Sequence, residues 1–163
     1  MKMTKVLKLS FNGDQISRNL VWVNPGELST QPKNAGAIEL QEGDPFYVQL
    51  ILTQVNEVSD LQFTVNHAKL FTVLNEAAGD SPALSPFEAP GVESPWTDLT
   101  FSQPFKAEDG HYVLNSDAVT VKRPANPNLR WELNLALVAH ITFGQRQIVK
   151  VLRFDPEVVV TQR

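Results

Sequence analysis

From Trp131 to Phe143 the odd positions read Trp131, Leu133, Leu135, Leu137, Ala139, Ile141 and Phe143. The even positions read Glu132, Asn134, Ala136, Val138, His140 and Thr142. A period of two with one apolar face and one mixed face predicts a long half-buried strand. The following FGQR (143–146) puts Gly144 at the first central position of a two-residue turn, as a type II′ hairpin requires. With Gly144–Gln145 as the loop, Phe143 pairs with Arg146, Ile141 with Ile148, Leu137 with Leu152 and Leu135 with Phe154. The apolar faces then match, apart from Ala139 against Lys150. A slip of one residue would bury Arg153 and Asp155, so the register is strongly specified.

This register places Asn134 opposite Asp155, with Pro156 next, where a ladder N–H is needed. Proline in a strand is confined to edges, first positions or bulges. Leu152, Phe154, Val158 and Val160 nonetheless keep one parity across it. The pattern predicts one strand that bends or leaves its partner at Asp155-Pro156 and continues, with a second sheet as one destination.

Upstream, KVLKLSF (5–11) alternates Leu7, Leu9 and Phe11 against Lys8 and Ser10. LVWVN (20–24) is short and β-rich. A Gly43-Asp44 turn precedes a strand with Phe46, Val48, Leu50 and Leu52 on one face. LQFTV (61–65) alternates, Asp109-Gly110 signals a second hairpin, and AVTVKR (118–123) adds a short strand. Residues 66–80 are ambiguous. His67, Leu70, Phe71, Leu74 and Ala78 have helical spacing, Asn66 can cap and Gly79 can stop a helix, yet Thr72 and Val73 favour a strand. The expectation is one short helix near 67–78 or an irregular strand. Residues 75–96 carry Pro82, Pro86, Pro90 and Pro95 and read as an ordered surface loop bearing Phe87 and Trp96. The fold expected is an all-β, antiparallel β-sandwich, with residues 1–163 as a single domain.

Composition narrows the function classes. The chain has 163 residues, with 42% hydrophobic and 20% charged, which suits a packed core. Its net charge of −4 and lack of a basic block argue against nucleic acid as a partner. No stretch reaches membrane-spanning length, so membrane insertion is not expected. The N-terminal apolar run is short and broken by Lys8, unlike a signal peptide, and a cytoplasmic location is expected. There are no cysteines, which removes disulfides, thiolate catalysis and thiolate-bound zinc.

The candidate chemistry is sparse. His67, His111 and His140 form no H-x-H or H-x-x-x-H pair, so metal binding would need all three to converge with a carboxylate. Asp155 and Glu157 project from one face of an extended strand and would suit a cation or acid–base pair, although edge charges also deter aggregation. No serine sits in a G-x-S-x-G or S-x-x-K setting, and no glycine-rich loop is built to hold a phosphate. No enzyme signature, metal site or cofactor is expected. The aromatic residues Trp22, Trp96, Trp131, Tyr47 and Tyr112 belong either to the core or to a sugar-stacking platform. The candidate ligand-binding residues are Phe87, Trp96 and Tyr112.

Four segments together carry a family likeness: LQEGDPFYVQL (40–50), Trp96 after the proline-rich loop, GHYVL (110–114), and the ending RFDPEVVV (153–160). This layout resembles bacterial inclusion-body proteins of the PixA/AidA type, small cytoplasmic β-sandwiches without a known reaction. The resemblance covers roughly residues 38–160 and departs in the 129–154 hairpin and the N-terminal segment. It implies a cytoplasmic self-associating or binding protein. The reading is a non-enzymatic bacterial protein acting by self-association or protein binding, and the edges of a two-sheet sandwich with a net charge of only −4 suit a homodimer. The alternative is a carbohydrate- or small-ligand-binding module using the 75–98 loop and exposed aromatics, and a third reading is a hydrolase built on carboxylates.

Overall fold

The computed structural model describes residues 2–25, 27, 37–53, 60–75, 85–89, 91–92, 94–122, 130–154 and 157–160. Among them the chain forms strands and no helix, as expected for an all-β protein. The strands are β1 (Lys5–Asn12), β2 (Val21–Trp22), β3 (Ala37–Leu40), β4 (Pro45–Thr53), β5 (Gln62–Asn75) and β6 (Trp96–Leu99). They continue as β7 (Lys106–Glu108), β8 (His111–Asn115), β9 (Val119–Thr120), β10 (Arg130–Phe143), β11 (Arg146–Phe154) and β12 (Glu157–Val160). One sheet runs β2-β1-β4-β8-β7, with β9 also on β4; the other runs β3-β12-β10-β5-β6, with β11 also on β10. Most pairs are antiparallel, but β1 lies parallel to β4 and β12 parallel to β3.

The alternation seen in the sequence is the alternation of burial. Leu7, Leu9 and Phe11 of β1 and Phe46, Val48, Leu50 and Leu52 of β4 point inward from one sheet. Phe63, Leu70, Leu135, Leu137 and Ile141 meet them from the other in one continuous core. Phe11 and Phe63 touch across the gap with ring centroids 5.7 Å apart, and Trp22 packs edge-on against Phe154 at 5.8 Å. The turns follow their residues. Gly144 has φ +59 and Gln145 does not share the positive sign, which is the II′ pattern, whereas Asp109 and Gly110 are both positive, as in type I′.

The β10–β11 register is the expected one, from Leu135 opposite Phe154 to Phe143 opposite Arg146. Asp155 and Pro156 lie outside the described residues. Around them, Leu135 faces Phe154 and Glu132 faces Glu157, so the offset is constant and the strand resumes on the same partner in the same sheet. A second sheet, one of the destinations open to it, is not the one taken. What changes is the other edge: Arg153 exchanges backbone hydrogen bonds with Arg18 and Leu20, whereas β12 lies beside β3.

Of the two readings of 67–78, the irregular strand holds and the short helix is corrected: residues through Asn75 belong to β5, and 76–78 lie outside the described residues. Along β5, Leu61, Phe63 and Val65 are buried, and then Ala68 and Leu70. The parity changes because Ala136 opposes Lys69 while Val138 opposes Asn66, leaving Leu137 to face both His67 and Ala68. This is a β-bulge, with His67 at φ +55 as its first residue in the left-handed region. The helical spacing mixes the two faces of this strand: Leu70 points into the core, whereas His67 and Phe71 are exposed.

Two stability measurements check this account. Leu137 is buried at 1% exposure, and Leu137→Ala should cost about 2–5 kcal/mol in denaturant unfolding. His67→Val, a β-branched residue forced to positive φ, should destabilise by about 1–2 kcal/mol, while His67→Asn and His67→Gly stay close to the parent.

Candidate functional site

The three candidate ligand residues end up in different surroundings. Phe87 is buried at 1% exposure and stacks on Phe46, centroids 5.2 Å apart. Ser85 anchors it there: the Ser85 and Thr97 hydroxyls lie 2.7 Å apart, and Ser85 N–H donates to the Ser94 carbonyl at 2.9 Å. Phe87 is therefore a core residue and offers no face to a ligand. Tyr112 is half-buried on β8 against Phe105, at 5.9 Å. Trp96 alone of the three is exposed. Of the 75–98 loop, residues 76–84, 90 and 93 lie outside the described residues.

Trp96 has company that sequence reading missed. β6 pairs with β5 so that Phe71 faces Trp96 and Lys69 faces Asp98, all four on the outer side of the sheet. The Phe71 and Trp96 rings are 6.5 Å apart, and Lys69 Nζ lies 5.5 Å from the Trp96 centroid and 3.2 Å from an Asp98 oxygen. Trp96 is 43% and Phe71 36% exposed, so this is an aromatic shelf with one charge of each sign. β6 has β5 on one edge and, among the described residues, no strand on the other.

A second feature opens where β6 ends. Its last residue, Leu99, pairs with Ala68, just past the bulge, and the chain then crosses towards the other sheet. Residues 65–67 and 99–102 line an open cleft of about 260 Å³. Thr100 and Ser102 donate their hydroxyls to the two Asp117 oxygens at 2.6 and 2.5 Å, and Asp117 N–H donates to the Thr100 carbonyl at 2.7 Å. Asp117 is presented there by another bulge: β4 pairs Leu50 with Leu114 but Phe46 with Val119, one extra residue on the second strand. Ser116 fills the irregularity, its N–H donating to the Val48 carbonyl and its hydroxyl oxygen accepting from Val48 N–H. The Ser102 hydroxyl first, and Thr100 second, hold the Asp117 carboxyl below its usual range.

No protein-family model matches the chain, and no curated protein is similar to it.

The other polar candidates do not assemble. His67 and His111 are exposed on different sheets, and His140 faces Val149. Asp155 and the Glu157 side chain lie outside the described residues. Among the described residues, no three His, Asp or Glu side chains converge as metal ligands, and no helix is long and apolar enough to cross a membrane.

A pH titration checks the Asp117 geometry. Its folded pKa is depressed, so its contribution to stability is present above the unfolded aspartate value of about 3.9 and fades as pH falls through the folded one. The carboxyl carbon of Asp117, followed by NMR, should titrate below an ordinary aspartate. Ser102→Ala should move it upward.

Proposed function

We propose that this is a non-enzymatic protein acting by association with a second copy of itself, or with another protein, through the Trp96 shelf. The observation that carries this reading is the exposed Trp96–Phe71 pair beside the outer edge of β6. Tryptophan is the commonest binding hot spot, and an uncovered strand edge is a ready template for pairing. The flanking charges favour a like partner. Lys69 and Asp98 give the shelf one charge of each sign, so two copies of it do not repel, and soluble oligomers are most often two-fold dimers. The net charge of −4 opposes such contact weakly. The likeness to bacterial inclusion-body proteins of the PixA/AidA type supports the same reading and a cytoplasmic setting.

Trp96 also supports the carbohydrate-binding alternative, since an exposed ring beside Lys69 and Asp98 offers a stacking face with polar partners on its rim.

The association reading predicts a dimer by size-exclusion chromatography with light scattering, with an interface above about 1,000 Å². Trp96→Lys should yield monomers that keep the parent circular-dichroism spectrum, with a melting temperature that no longer depends on protein concentration. A parent protein that is monomeric at high concentration and captures no protein partner would exclude the reading.

A further inference from the structure

We propose that the cleft between the β5 bulge and residues 99–102 binds a neutral polyhydroxylated ring, a hexose. It begins at Leu99, where the Trp96 shelf ends, and does not depend on the association reading.

A serine or threonine hydroxyl owns one hydrogen. Those of Thr100 and Ser102 are both committed to Asp117, at 2.6 and 2.5 Å. Each oxygen is left with lone pairs alone, so the two cleft-lining hydroxyls act as oriented acceptors. They call for a ligand that donates. Across the cleft, Asn66 and His67 bring an amide and an imidazole, which bond hydroxyls in either sense. The half-buried ring of Phe101 supplies apolar surface, and Val65 and Leu99 back the cleft from the core. A ring of hydroxyls with C–H faces satisfies both kinds of wall.

Charge excludes the nearest competitor. No lysine or arginine lines the cleft, and the Asp117 carboxylate stands behind the two hydroxyls, so an anion meets repulsion and no counter-charge. The bulge contributes as well. The positive φ of His67 directs its side chain differently from regular strand alternation, and bulges commonly re-aim a residue beside a binding site. An open cleft of this size implies weak, about millimolar, affinity.

The test titrates D-glucose, D-galactose and D-mannose into the full-length, isotope-labelled protein and follows backbone amide shifts. Ethanolamine serves as a small cationic control. At least one hexose should move amides within 65–67 and 99–102, and Ser102→Ala and Phe101→Leu should each weaken that hexose roughly three- to tenfold. Both variants are checked for a parent-like amide spectrum, and the parent's shift map stands whether or not they fold. Trp96→Ala should leave hexose binding intact. No shifts with any hexose, shifts confined to the Trp96 shelf, or shifts in the cleft with ethanolamine alone would each overturn the proposal.

Discussion

The two-sided pairing of β10 is the constraint on which the second sheet depends. One edge of this strand is occupied by β5 and the other by β11 and β12. Buried backbone donors and acceptors must be paired, and Leu135, Leu137, Ala139 and Ile141 must all face the core. β10 therefore admits no irregularity of its own, and its neighbours absorb any mismatch. β5 does so, entering with odd residues inward and leaving with even ones. The extra residue has to go somewhere, and it goes to His67 in a left-handed conformation.

That accommodation shapes the surface. β6 pairs with β5 only on the far side of the bulge, so its end leaves an open cleft. The bulge at 116–118 in the first sheet answers it, turning Asp117 out to collect the Thr100 and Ser102 hydroxyls. Two departures from regular pairing, one in each sheet, meet at a single segment. On the outer side of β5 and β6 the regular ladder does the opposite and brings Phe71, Trp96, Lys69 and Asp98 into one ordered row.

Local patterns revealed what local physics controls. The Gly144 turn and the apolar match fixed the β10–β11 register, and alternation marked the inward faces of β1 and β4. Of the two readings of 67–78 the irregular strand holds and the helix does not, because Phe71, which helical spacing groups with Leu70, lies on the outer side of β5 beside Trp96. The change from Val65 to Ala68 was the available signal. Phe87 misled for another reason: a proline-rich segment suggests surface, while its burial depends on Ser85 meeting Thr97, a contact between side chains 12 positions apart. The cleft was least legible, since Thr100 and Ser102 find Asp117 only through the crossing between sheets. The partnership of Trp96 with Phe71 likewise waits on the β5–β6 pairing.

The parallel pairing of β3 with β12 has a consequence for how the molecule comes to be made. Ile38 and Leu40 are fully buried, yet the strand beside them is residues 157–160. During synthesis β3 leaves the ribosome well over a hundred residues before its neighbour. Pairings so distant in sequence carry a large loop-closure cost and form slowly. For that interval an apolar strand waits without its lateral partner, and an unpaired strand is the species most prone to join another nascent chain. The completion of the second sheet is thus set by the order of translation as well as by packing.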